Sequence, residues 1–295
     1  MKNLLLILLL LLTGEISAQQ TATIVVKTTP DNEIAYWPTG KDHLFFITLG
    51  TKAQADPQGQ FIHEFSVSRP TTIHVWAKGN NSFTLYLTPG SKDTIAVAKD
   101  TINFSGTNRV YNRCLKAVDD YQQYSDNLIY MQPHELEGVT SLEQYHQLAD
   151  ARMKQALDSV NASGLDKEFL AEQHAHIDYT HRSIFLHVAM YLVKNENFTE
   201  NWRKELAEII NQPVDSDYLR SYRGIGLFIN DLIGAQFIKL ENGKPEEIKD
   251  YCAFRFDRYR KFFKGDNLQY AQALLIYEDE FQTRNTPSIP QLYER

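Results

Sequence analysis

At Gly106 the spacing of apolar residues changes from every second position to about every 3.6, so one chain carries two kinds of element. Before that point, short β-branched and aromatic runs read as strands: TATIVVKT, EIAYWP, HLFFITLG, QFIHEFSVS, TTIHVWAK, SFTLYLT, TIAVAK and TINFSG. Pro30-Asp31-Asn32, Asp56-Pro57-Gln58-Gly59, Gly79-Asn80-Asn81 and Pro89-Gly90 separate them. Proline fixes φ, and glycine or asparagine accepts positive φ, so each cluster has the chemistry of a turn. Phe61, His63, Phe65 and Val67 alternate with Ile62, Glu64 and Ser66, which turns one aromatic face inward.

After Gly106 the pattern predicts helices over 108–131, 141–162, 166–195, 200–211, 216–241, 246–264 and 267–284. Ser141-x-x-Gln144 has capping-box spacing, and Asp166 and Ser216 suit caps. Pro245 suits a first turn, while Gly164 and Gly265 suit exits. Leu170, Ile177, Ile184 and Tyr191 recur every seven residues beside Phe185 and Val188, the mark of a buried stripe. No repeat of fixed length accompanies it, which argues against a solenoid. The expected fold class is therefore α+β: an N-terminal antiparallel β-sandwich over 19–106, then an irregular α-helical bundle over 107–295. Ser288 to Arg295 reads as a turn and the first turn of a further helix, as in a truncated chain.

Residues 1–18 read as a secretory signal peptide, with Lys2, the apolar run Leu4 to Leu12, and Ser17-Ala18 before a new N-terminus at Gln19. Nine Leu/Ile residues fall short of the roughly 20 that span a bilayer, so no transmembrane segment is expected in the mature form. No cysteine follows the run to carry a lipid. A net charge of −7 with scattered Lys and Arg argues against a nucleic-acid partner.

Few residues carry a chemical signal. His174, Asp178 and His181 fall at i, i+4 and i+7 of one predicted helix, a two-histidine, one-carboxylate set suited to a divalent metal and hence to a metal-dependent hydrolase. The same spacing also suits histidines hydrogen-bonded at a packing edge. Gly-x-Ser-x-Gly, Ser-x-x-Lys and Cys-x-x-Cys are absent, and Gly224-Ile225-Gly226 lacks the preceding strand of a dinucleotide turn, so no catalytic residue and no cofactor is assigned. Cys114 and Cys252 are the two cysteines; an oxidising compartment permits a disulfide between them, and apolar helical surroundings equally suit two separate buried thiols. In YCAFRFDRYRKFF, Cys252, Phe256, Tyr259 and Phe263 share one helical side with Arg255, Arg258 and Lys261 elsewhere, as in a packing helix. Tyr36, Trp37 and Trp76 are either sandwich core or an aromatic platform for a glycan or peptide.

Phe83-x-Leu-x-Leu-x-Pro-Gly, the stretch from Phe83 to Asn112 around it, and Asp56-x-x-Gly59-x-Phe61 with Pro70 carry a resemblance. Together they resemble the N-terminal region, a β-domain plus helices, of periplasmic thioredoxin-like thiol-disulfide proteins of Bacteroidota, here without the thioredoxin domain. Where that family continues Pro-Gly-Asp-Ser, this chain reads Pro89-Gly90-Ser91-Lys92-Asp93, one residue longer. The resemblance implies a soluble periplasmic chain that is a non-catalytic accessory or scaffold, with a thioredoxin-like domain, another envelope protein or a second copy of itself in a homodimer as partner. It also implies O-glycosylation at Asp-Thr/Ser-apolar sites, which here are Thr94, Thr101 and Ser159, although Asp-Thr is ordinary turn chemistry too. A free-standing periplasmic glycan- or peptide-binding module is the alternative expectation.

Overall fold

The structure, a computed structural model, describes residues 20–39, 50–79, 81–99, 101–126, 138–194, 200–212, 232, 250–281 and 292. It has an α+β fold, with eight strands and six helices among the described residues. The strands are β1 (Gln20–Lys27), β2 (Glu33–Pro38), β3 (Thr51–Gln54), β4 (Gln60–Val67), β5 (Thr71–Ala77), β6 (Asn81–Leu87), β7 (Lys92–Ala98) and β8 (Thr101–Gly106). The helices are α1 (Arg109–Asp126), α2 (Leu142–Asn161), α3 (Lys167–Lys194), α4 (Glu200–Asn211), α5 (Tyr251–Phe262) and α6 (Gly265–Phe281). Two compact units divide the chain: Met1–Pro38 with Leu49–Arg113, and Thr39–Thr48 with Cys114–Arg295.

The first unit holds two four-stranded sheets, ordered β4-β1-β7-β8 and β3-β2-β5-β6. Five of the pairings are antiparallel, and the sixth, β1 with β7, is parallel. That parallel pair departs from the all-antiparallel expectation, because β7 returns to β1 from the other sheet rather than through a hairpin. Both sheets supply one buried cluster, with Ile24, Val26, Ile95 and Phe104 from one and Ile34, Val75, Phe83 and Leu85 from the other. The period of two in each run places these residues on one face, where burial removes them from water.

Turn chemistry sets the register. Asp56 Oδ1 accepts from the backbone N–H of Gln58 (2.9 Å) and Gln60 (2.7 Å). Gly59 follows at φ +74°, and a Cβ there would stand 2.2 Å from the Thr28 carbonyl oxygen, so only glycine fits. The candidate strand HLFFITLG lies mostly outside the described residues, and β3, Thr-Lys-Ala-Gln, was not expected, since it has no apolar alternation. Its pairing with β2 defines it.

In the second unit α2 packs on α3, α3 on α4, and α5 on α6. Ser141 caps α2, accepting from Gln144 N–H at 3.2 Å, while Gln144 Oε1 accepts from Thr140 N–H at 2.8 Å. Asp166 and Asp250 act likewise, accepting from Phe169 N–H (2.9 Å) and Ala253 N–H (2.8 Å). Of the α3 stripe, Ile177, Ile184, Phe185 and Val188 are in the core and Leu170 is half-buried, while the side chain of Tyr191 lies outside the described residues. The candidate helix 216–241, apart from the buried Leu232, and with it Ser216 and the first-turn candidate Pro245, lies outside the described residues. On α5, Arg255 departs from the expected exposed position: it is buried and donates from Nη2 to the Tyr259 hydroxyl at 2.9 Å.

Candidate functional site

A chain of polar side chains crosses four helices of the second unit. Capping fixes the start of α2, and a spacing of four then puts His146 and Asp150 on one face. His146 Nδ1 lies 3.5 Å from Asp150 Oδ1, and its Nε2 lies 3.1 Å from both carboxylate oxygens of Glu205 on α4. His181, held between the buried turns of Ile177 and Ile184 on α3, places Nε2 at 3.3 Å from the same Asp150 oxygen. Its Nδ1 lies 3.0 Å from the hydroxyl of Tyr121 on α1. Thr180 donates to Gln122 Oε1 at 3.0 Å alongside.

The electrostatics assign the protons. Burial holds the Tyr121 phenol far above its ordinary range, with Tyr124, Asp150 and Asp178 adding to the rise, so it is protonated and donates. Burial also lowers His181, and His146 pushes the same way, against the opposing pull of Asp150 and Asp178. A neutral His181 then accepts from Tyr121 at Nδ1 and donates to Asp150 from Nε2. Tyr145 is fully buried within the field of Tyr121, Asp150 and Glu205, which adds to the effect of burial in raising its phenol. Its hydroxyl has no hydrogen-bond partner among the described residues. The Tyr145 ring meets Phe185 and Trp202 edge-on, each at 5.3 Å between centroids, and walls the chain off from the core.

Tyr121 also floors a cleft of about 520 Å³ between α1 and α2. Tyr124, Arg152, Gln155 and Ser159 line it, and the Arg152 guanidinium stands 5.3 Å over the Tyr124 ring. The arrangement pairs a cation with an aromatic face beside the hydrogen-bonded chain.

The structure does not bring His174, Asp178 and His181 together. His174 Nε2 bonds Asn161 Oδ1 at 2.9 Å, Asp178 Oδ2 pairs with Arg182 Nη2 at 2.6 Å, and His181 turns to Tyr121 and Asp150. Each side chain has found a different partner, and among the described residues no three His, Cys, Asp or Glu side chains are placed to hold a metal. Cys114 and Cys252 are buried and not joined by a disulfide. Burial pushes the Cys114 thiol up to about 11, against a smaller opposing hydrogen bond from Ser163. Thr94 is half-buried mid-strand on β7, Thr101 is exposed at the start of β8, and Ser159 is exposed on α2, donating to the Gln155 carbonyl at 2.9 Å. Tyr36 lies in the sheet core with its hydroxyl 3.0 Å from His63 Nε2, whereas Trp37 and Trp76 are half-buried on the opposite face, the Trp37 ring tilted against His74 at 4.8 Å between centroids.

Tyr121, His146, Asp150 and Glu205 were missed as a group by sequence reasoning. The one local signal was the i, i+4 pair on α2. No family model and no curated protein matches the chain. Among the described residues no helix is long and apolar enough to cross a membrane.

Proposed function

We propose that this chain is a non-catalytic accessory or scaffold region of a periplasmic thioredoxin-like thiol-disulfide system, secreted through its leader. The observation that carries the reading is the state of the two thiols. Disulfide exchange runs through an accessible thiolate with a lowered pKa and a resolving cysteine beside it. Cys114 has the opposite character, buried and pushed up to about 11, and Cys252 is buried as well. The resemblance at Asp56 to Pro70 and Phe83 to Asn112 supports the family context, since those residues lie in the part that precedes the redox domain. The hydrolase reading has no such support, because the three candidate ligands each bond elsewhere.

Insulin reduction by dithiothreitol tests the proposal with the full chain as the added component. The expected rate is that of the blank. Turnover that scales with protein concentration and vanishes in Cys114→Ser would overturn it.

A further inference from the structure

The cleft between α1 and α2 is unlike an ordinary helix seam. Its volume, about 520 Å³, lies within the range of small-molecule sites. Two charged residues are among those that line it. Asp120 is already neutralised by a salt bridge to Lys116 one turn earlier. Arg152 makes no ion pair with a described residue; its guanidinium is held over the Tyr124 ring. At 5.3 Å from the ring centroid the guanidinium carbon is in cation–π range, and a planar guanidinium fork matches a carboxylate bidentately. Gln155 and Ser159 add neutral polar groups on the same wall, and the buried Tyr121 phenol closes the floor.

We infer that this cleft binds a small carboxylate-bearing ligand, Arg152 taking the carboxylate and the Tyr124 edge of the cleft taking an apolar ring or side-chain face. A single guanidinium balances a monoanion, whereas a phosphate dianion would keep a second charge that no other cation among the described lining residues offsets. An acidic sugar and a peptide C-terminus present the same chemistry. This site goes beyond the scaffold reading and does not depend on it.

Calorimetric titration of the full chain at low salt tests it with two monoanions, galacturonate and N-acetyl-Ala-Tyr, each against its uncharged counterpart, galactose and N-acetyl-Ala-Tyr amide. The expected result is that one acid binds, at least about tenfold more tightly than its neutral counterpart, and the acid that binds identifies the source. Arg152→Gln weakens that binding at least about tenfold and Arg152→Lys by less, since a point charge keeps the attraction and loses the fork. Arg152 is exposed, and unchanged thermal melts of both variants confirm that the fold is intact. The inference is overturned if neither acid binds, if Arg152→Gln binds undiminished, or if inorganic phosphate binds more tightly than both acids.

Discussion

His181 stands where burial and charge oppose each other. Its pKa is lowered first by burial and then by His146, while Asp150 and Asp178 raise it. The groups that bond to it or act on it are Tyr121 from α1, His146 and Asp150 from α2, and Asp178 on its own helix, with Glu205 on α4 beyond His146. The sign follows from linkage. The folded state holds His181 neutral, and the unfolded chain takes up the proton from about pH 6.5 downward. Stability from this group is present in full above 6.5 and is lost as pH falls from there through the lowered value. Urea denaturation of wild type should therefore weaken between pH 7 and pH 5, and His181→Asn should flatten that limb. An unchanged acid limb in the variant would show that the titration resides elsewhere. The spacing of His181 from His174 and Asp178 suited a hydrogen-bonded histidine at a packing edge as well as a metal ligand, and the first is what the structure shows, but the identity of its partners was not legible. Its partners, Tyr121 and Asp150, come from two other helices, and no local pattern announces a contact between distant segments.

The elements were more legible, because their causes are local. Alternation placed most strands and the 3.6 period placed every described helix, and Ser141-x-x-Gln144 caps α2 much as its spacing predicts. β3 escaped because its four residues carry no periodic signal, and its hydrogen bonds to β2 define it. The edge of β6 is the informative case. Asn112, wholly buried on α1, accepts from the Tyr86 backbone N–H at 2.7 Å through Oδ1, and Tyr111 stacks on the Tyr86 ring at 4.4 Å between centroids. The first turns of α1 thus occupy hydrogen-bonding and ring surface that a free edge strand would leave open. Asn112→Ala strands that N–H and should cost about 1–3 kcal/mol, read from the urea midpoint. A loss below a few tenths would mean that water or a shifted side chain replaces the amide.

On the scale of the molecule, the strands stop at Gly106 but the first compact unit runs on to Arg113. The reason is polar. Asp93, 2% exposed, accepts from Asn108 N–H at 2.7 Å and from Asn108 Nδ2 at 2.9 Å, and burial raises its pKa against the opposing pull of those bonds and of Ser91. A fragment ending at Gly106 leaves this carboxylate buried without its donors, so a fragment 20–113 should unfold at a higher urea concentration than 20–106. Equal midpoints would contradict the role given to the first turn of α1. The period change in the sequence marks where strand chemistry ends, and the closing bonds come from helical residues that the period alone does not single out.

The claim that the chain supports rather than performs thiol exchange rests on two buried thiols, and a thiol-specific reagent reads them directly. With native protein at pH 7 the account predicts no fast-reacting thiol, and two on denaturation. A native cysteine that reacts as fast as a free exposed thiol would contradict it.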